Sequence, residues 1–339
     1  MLYYIGYSAT AGGWTSDFNR AVISELDRWA VRYLQLPPYD WAVGSPPLAF
    51  YRNFTSSPDD VWLIAWAQSP VIDLIRAKPG RKYGYAAGLT AIPFEPARLW
   101  GHLLHERERL NCYDGIFLPS EWSAAQARRH YPELGRRLIV TGFPIDFESI
   151  LPYRWERKID RLVVFNQRFA VEKLPALEIQ LSHRLTERGY RVWHLTEQPP
   201  PVIARRSAEL AQLLAAARDA GVRLVYNPTK HIYYRRLAMA QVVVTTSLAD
   251  TLSVALVEGI ALGAAPVAPR AMAFPEYVHP DNLYSPYDLD AIERLVTDPP
   301  RRSHGIYRHC KQRVGQRMVA AIYPELVHGR SFATDEPAR

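Results

Sequence analysis

The sequence predicts an α/β chain built as two Rossmann-like, doubly wound domains that face each other across a cleft. Three observations carry that expectation. The 339 residues exceed the usual size of one domain, and 48% of them are hydrophobic, enough to fill two cores. Short apolar runs alternate with stretches of helical period, the pattern of parallel strands joined by crossover helices. The alternation stops in a polar, basic stretch that ends at Asp160 and then begins afresh.

In the first series the apolar runs predict strands at 2–7, 31–36, 61–67, 82–87, 115–118 and 138–141. A helix is expected over 17–29 with Ser16 as its N-cap, and another over 123–130, preceded by Ser120 and Glu121. The second series predicts strands at 161–165, 190–195, 222–226, 241–246 and 264–268, separated by helices at 172–188, 203–219, 230–238 and 252–262. The expected division is therefore an N-terminal domain over 1–157, a C-terminal domain over 158–303, a helix at 304–322 crossing back to the first domain, and a tail over 323–339. No repeat of solenoid period is present. Open α/β sheets bind ligands at the carboxyl ends of their strands, so two in tandem predict an active site between the domains.

Charge narrows the partners. The 41 basic side chains exceed the 34 acidic ones to leave a net +7, with the excess gathered at 78–82, 128–137, 154–161 and 301–317. An anionic partner is implied, and a nucleotide, a nucleic acid or a membrane surface each satisfies that charge. No window approaches the roughly 18 to 20 apolar residues of a membrane span, and the N-terminus lacks a basic stretch followed by an apolar core. A cytoplasmic location is the expectation. Cys112 and Cys310 are far apart and read as structural; His105-Glu106 is not the H-E-x-x-H of a zinc protease. Metal ligands are not expected.

The most informative segment is Ser247-Leu-Ala-Asp250-Thr-Leu-Ser253-Val-Ala-Leu-Val-Glu258-Gly-Ile-Ala-Leu-Gly263-Ala-Ala-Pro266-Val-Ala. It reads strand, turn, helix, strand, and it puts a lone carboxylate, Glu258, on a greasy helix where an unpaired charge is costly. Glu258 therefore needs a partner. With the helix starting near Thr251, Asp250 stands at its N-terminus and Glu258 about two turns on, roughly 12 Å away at ~1.5 Å per residue. A diphosphate fits between the two acids, because helix N-termini present free N–H groups and the positive dipole end. Thr251, Leu252, Ser253 and Val254 are the candidate donor-binding residues there.

The spacing Asp250-x7-Glu258, continued by Gly263-Ala-Ala-Pro266-Val-Ala and Pro275-Glu276, resembles the retaining GT-B glycosyltransferases marked by an acid, seven residues and a second acid, the glycosyltransferase family 4 pattern. The resemblance implies that Glu258 holds the donor ribose and that Asp250 contacts the donor sugar. Two positions depart from it: the first acid is usually Glu, and Ser253 stands where glycine is common. A second match is Phe165-Asn-Gln-Arg168-Phe-Ala-Val-Glu-Lys173, where the family places two cations at this spacing. By resemblance, Arg168 forks two phosphate oxygens and Lys173 supplies a point charge, fixed cations that stabilise a leaving diphosphate where no metal does so. The stretch Tyr226-Asn227-Pro-Thr-Lys230 matches the loop beside the nucleobase, which makes Tyr226, Asn227 and Lys230 donor-binding candidates; Tyr233 and Tyr234 read as packing residues. In the first half, Thr10-Ala11-Gly12-Gly13-Trp14 lies where such enzymes put a glycine-rich loop near the transferred sugar, since glycine lets the backbone approach a ligand.

Specific motifs cover most of 158–300, whereas 1–157 shares only the layout, and a histidine often found beside the donor sugar has no counterpart at 88–90. His102 and His105 read as solvent-facing residues of an amphipathic helix. Residues 242–277 and 282–284 look closest to the transferases that mannosylate queuosine in tRNA. The resemblance thus implies a metal-independent, retaining hexosyltransferase with an N-terminal acceptor domain and a C-terminal donor domain. Its co-substrate is a UDP- or GDP-linked sugar and it needs no other cofactor. The acceptor is a modified base in DNA or tRNA, or a membrane-associated lipid or polysaccharide. A sugar-nucleotide epimerase of the same fold and a non-catalytic nucleotide-sugar-binding module are the alternatives.

Overall fold

Two compact units divide the chain in the computed structural model, which describes residues 1–8, 13–38, 48–89, 105–154, 158–302 and 304–328. One unit comprises Met1–Asp146 with Tyr307–Arg339, the other Phe147–Ile306. The boundary falls at Asp146 rather than after residue 157, because Phe147 and Ile150 are buried and their short helix packs within the second unit.

The first unit is built on six parallel strands: β1 (Leu2–Ile5), β2 (Tyr33–Leu36), β3 (Val61–Ile64), β4 (Arg81–Tyr85), β5 (Gly115–Leu118) and β6 (Leu138–Val140). Their order is β2-β1-β3-β4-β5-β6, with Ile5 paired to Leu36 on one side and to Ile64 on the other. Uniformly buried runs such as Val61–Ile64 and Gly115–Leu118 are what a sheet covered on both faces requires. The order reverses between β1 and β3, and the segment after β1 leads into α1 (Trp14–Arg28), which buries Phe18, Ala21, Val22 and Leu26. Its N-cap is Gly13 rather than Ser16, since Trp14 and Thr15 are already helical. α2 (Glu121–His130) starts where Ser120 Oγ accepts the Ser123 N–H. The expected C-terminal helix runs Lys311–Ile322, after a 3₁₀ turn at Gly305–His309, and packs on α1 at Gly315, where a Cβ would lie 2.5 Å from Glu25 Cγ.

The second unit has β7 (Leu162–Phe165), β8 (Arg191–Thr196), β9 (Arg223–Tyr226), β10 (Val242–Val244), β11 (Ala265–Pro269) and β12 (Leu283–Tyr284). All pairings are parallel and the order is β12-β11-β10-β7-β8-β9, which is the 3-2-1-4-5-6 order of dinucleotide-binding sheets read from the other edge. Its core gathers Val163, Phe165, Leu181, Leu185, Val192, Val244 and Val267. The helix expected from 172 is interrupted: Val171–Lys173 is a 3₁₀ turn, Leu174 is left-handed at φ 54, and α3 (Pro175–Glu187) begins with proline at its first position. The stretch 203–219 is likewise two helices, Pro200–Ala204 and Ala208–Asp219, with Ser207 capping the second. α4 (Lys230–Leu237) is capped by Thr229 and α5 (Val254–Ala261) by Ser253. Among the described residues no helix is long and apolar enough to cross a membrane.

Candidate active site

In the second sheet the strand order reverses between β7 and β10, and open α/β sheets bind ligands at such a switch point, beyond the carboxyl ends of the strands. The loop after β7 carries Arg168 and Lys173, and the loop after β10 carries Asp250. The fold brings Lys173 and Asp250 together: Lys173 Nζ lies 2.7 Å from Asp250 Oδ1, and reaches Ser247 Oγ at 3.3 Å and the Ala249 carbonyl at 3.4 Å. Their side chains are 11% and 16% exposed, so the pair is screened little by solvent. Asp250 Oδ2 is buried and has no hydrogen-bond partner among the described residues. A buried carboxylate oxygen without a partner keeps unfilled acceptor capacity. Arg168 is elsewhere engaged. Its guanidinium is half exposed and paired with Glu172.

Glu258 projects from α5 and is 3% exposed. Its required partners are a lysine and two phenols. Lys230 Nζ donates to Oε1 at 2.7 Å, Tyr234 O–H to Oε1 at 3.1 Å, and Tyr233 O–H to Oε2 at 2.8 Å. All three donors sit on one face of α4, at the i, i+3 and i+4 positions that a helix stacks together. The Lys230 ammonium also lies 5.1 and 5.3 Å from the centres of the Tyr233 and Tyr234 rings, within cation–π range. Burial, and after it the charge of Glu258, holds the Tyr233 phenol well above its ordinary pKa, which keeps it a donor. Asn166, just past β7, donates to Tyr233 Oη at 3.1 Å and to the Ala255 carbonyl at 2.5 Å, tying the Glu258 cluster to the strand end. Tyr233 and Tyr234, read from the sequence as packing residues, thus also donate to Glu258. The signal was present in the helical spacing of one cation and two phenols, given that Glu258 demanded donors.

The remaining candidates separate. Ser253 is the N-cap of α5, its Oγ accepting the Leu256 N–H at 3.4 Å, so the helix starts at Val254 and not near Thr251. Asp250 and Thr251 therefore precede the cap, and Leu252 is buried. Tyr226 is exposed at the end of β9. Asn227 is buried: its amide donates to the Thr196 and Val225 carbonyls and accepts from Arg236, so its side chain fastens the strand end. In the first unit Gly13 has φ 55 and ψ −134, a backbone conformation that a Cβ opposes. Gly12 lies outside the described residues, as does His102; the His105 side chain is exposed.

No protein-family model matches the chain. Among solved structures it is similar to the OtsA apo structure, with a TM-score of 0.65 at 10% identity, covering 95% of this chain and 98% of that one. A sucrose-phosphate synthase from Thermosynechococcus elongatus gives 0.64 at 16% identity, with 96% of each chain covered. An E. coli structure, trehalose-6-phosphate bound with UDP-2-fluoro glucose, gives 0.62 at 11% identity, again with 96% of each covered. The chain has the GT-B fold. Within this GT-B chain, the second sheet gathers a cation beside an open acceptor oxygen and a buried carboxylate ringed by donors. Lys173 and Asp250 lie beyond the carboxyl ends of β7 and β10, Glu258 on the helix that follows β10, and its three donors on α4, the helix that follows β9.

Proposed function

We propose that the chain is a retaining glycosyltransferase, acting in the cytoplasm and without a metal ion, that moves a hexosyl group from a nucleoside-diphosphate sugar to an acceptor hydroxyl or amine. The observation that carries this reading is the meeting of Lys173 and Asp250 at the switch point of the second sheet, with Glu258 on the adjoining helix. In the reaction the bond between the sugar's anomeric carbon and the phosphate oxygen breaks, and the acceptor oxygen or nitrogen forms a bond to the same carbon on the same face. The acceptor's proton passes to the leaving diphosphate. Negative charge grows on that diphosphate, and Lys173 is the fixed cation that stabilises it, with Arg168 joining once it leaves Glu172. Asp250 Oδ2 accepts a hydroxyl of the donor sugar. Glu258, with three of its roughly four lone-pair directions filled, keeps one for the ribose.

The GT-B likeness supports the reading, since one similar structure holds UDP-2-fluoro glucose and another is a sucrose-phosphate synthase. The net +7 favours an anionic acceptor, a nucleic acid base or a lipid or polysaccharide at a membrane surface. A non-catalytic nucleotide-sugar-binding module is the second reading, favoured by the closed Lys173–Asp250 and Lys230–Glu258 pairs. Incubation with labelled UDP- and GDP-sugars, with and without tRNA, DNA and lipid acceptors, separates the readings. Acceptor-dependent release of UDP or GDP is the expected result. Binding with no turnover against the full acceptor set selects the module, and turnover that ignores the acceptor selects an epimerase.

A further inference from the structure

Beneath the loop that carries Lys173 lies a buried polar network whose members make none of the donor contacts assigned above. Gln167 is its hub. The Gln167 side chain accepts from Thr245 Oγ1 at 2.8 Å and donates to Thr246 Oγ1 at 3.0 Å and to the Lys173 carbonyl at 3.1 Å. Thr246 Oγ1 donates to the same Lys173 carbonyl at 2.8 Å, so the lysine backbone is held twice, by Gln167 past the end of β7 and by Thr246 past the end of β10. Gln167 is itself held from β8: His194 Nε2 donates to its carbonyl at 2.9 Å, and His194 Nδ1 lies 2.5 Å from Glu178 Oε1 on α3. Both ring nitrogens face oxygen acceptors, which fixes the ring in one orientation. Phe165 and Phe169 pack against it.

This arrangement is an expensive way to gain stability. Glu178 and His194 are each 1% exposed, and Glu178 Oε2 has no partner among the described residues. Buried ion pairs with incomplete hydrogen bonding contribute little net stability, and well-packed apolar side chains often serve as well. What the pair supplies is direction. Between Phe165 and Pro175 the chain has no strand or α-helical ladder, only a 3₁₀ turn and the left-handed Leu174, so its path depends on side-chain bonds. We infer that the Glu178–His194 pair is a positioning device for Lys173, transmitted through Gln167 to the ammonium that meets the donor diphosphate. The inference deepens the proposed function and rests on the reading of Lys173 given there.

The test compares the full chain with two variants, measuring calorimetric affinity for UDP, GDP, uridine and guanosine alongside thermal unfolding. His194→Phe/Glu178→Leu removes both buried polar side chains while keeping a ring between Phe165 and Phe169. Gln167→Leu cuts the link through which the pair would act, so a preference retained in this variant overturns the inference even where the double variant fails to fold. In each folded variant the diphosphate is expected to lose at least about tenfold in affinity, as when a charged hydrogen bond is lost, while the nucleoside binds as before. Adding Lys173→Met then produces no further loss, because the lysine is already misplaced. A diphosphate-over-nucleoside preference kept within about twofold of wild type overturns the inference and leaves these residues purely structural. If the wild-type chain itself shows no preference for diphosphate over nucleoside, the reading of Lys173 fails first and takes this inference with it.

Discussion

Replacing Glu258 with alanine should destabilise the second unit by an amount the surrounding hydrogen bonds define. The carboxylate accepts from Tyr233, Tyr234 and Lys230, and the substitution removes that acceptor from all three at once. Each buried phenol that loses its acceptor costs about 1–3 kcal/mol, and the missing methylene adds about 1 kcal/mol. Lys230, with 37% of its side chain exposed, returns its ammonium to water at little cost. Relief from burying a carboxylate offsets part of the loss, leaving an expected destabilisation of about 3 kcal/mol against the usual total of about 5–15 kcal/mol. Glu258→Gln keeps the volume and one acceptor oxygen, so it should cost about 1–2 kcal/mol and is the better probe of donor turnover, which it should abolish. Urea unfolding followed by circular dichroism reads both values, with the slope against denaturant unchanged. An alanine variant that unfolds within about 0.5 kcal/mol of wild type would refute the hub and with it the claim that Glu258 is held for use.

Acid should weaken the first unit through His309. Burial, with the charges of Arg308 and Arg317 behind it, pushes this imidazole down to about 3, whereas the unfolded residue titrates near 6.5. The unfolded chain therefore takes up the proton first; the stabilisation is complete above the unfolded value and drains away as pH falls from 6.5 toward 3. His309→Asn, which still offers an oxygen to the Phe143 N–H, should flatten the pH slope of the urea midpoint over that range, and an unchanged slope contradicts the assignment. At the α5 N-cap, Ser253→Gly should cost only a few tenths of a kcal/mol and Ser253→Val roughly 1 kcal/mol; equal midpoints for the two speak against the cap. Gly259→Ala should destabilise by roughly 1–2 kcal/mol despite alanine's better helix propensity, because its Cβ would sit 2.9 Å from Val243 Cγ1, and a more stable variant contradicts that contact.

Strands were legible because parallel sheets covered on both faces need unbroken apolar runs, and Leu162–Phe165 and Val242–Val244 are such runs. β12 was not, since two residues make no pattern. The helix expected from 172 overlooked Pro175, whose fixed geometry suits a first turn, and so began three residues early; Lys173 sits in the turn before it, where it faces Asp250. The domain boundary was hidden because Phe147 and Ile150 carry no period that distinguishes a linker from a packed helix. At the site, the acid spacing and the cations could be read from residue types alone, but their mutual pairing could not. That Lys173 neutralises Asp250, and that Lys230 with two tyrosines holds Glu258, are facts of tertiary structure. Nor could the sequence show that the Asn227 amide donates to the Thr196 and Val225 carbonyls at the strand ends.

One measurement bears most directly on the central claim, that Lys173, Asp250 and Glu258 serve a single nucleoside-diphosphate sugar. It is the shift in unfolding temperature of the wild-type chain and of Lys173→Met across a panel of UDP- and GDP-sugars, since a ligand that binds only the native state raises its stability. At least one donor should raise the wild-type transition, and the same donor should leave Lys173→Met where it was. A panel that shifts nothing, or a methionine variant that shifts as far as the wild type, contradicts the account.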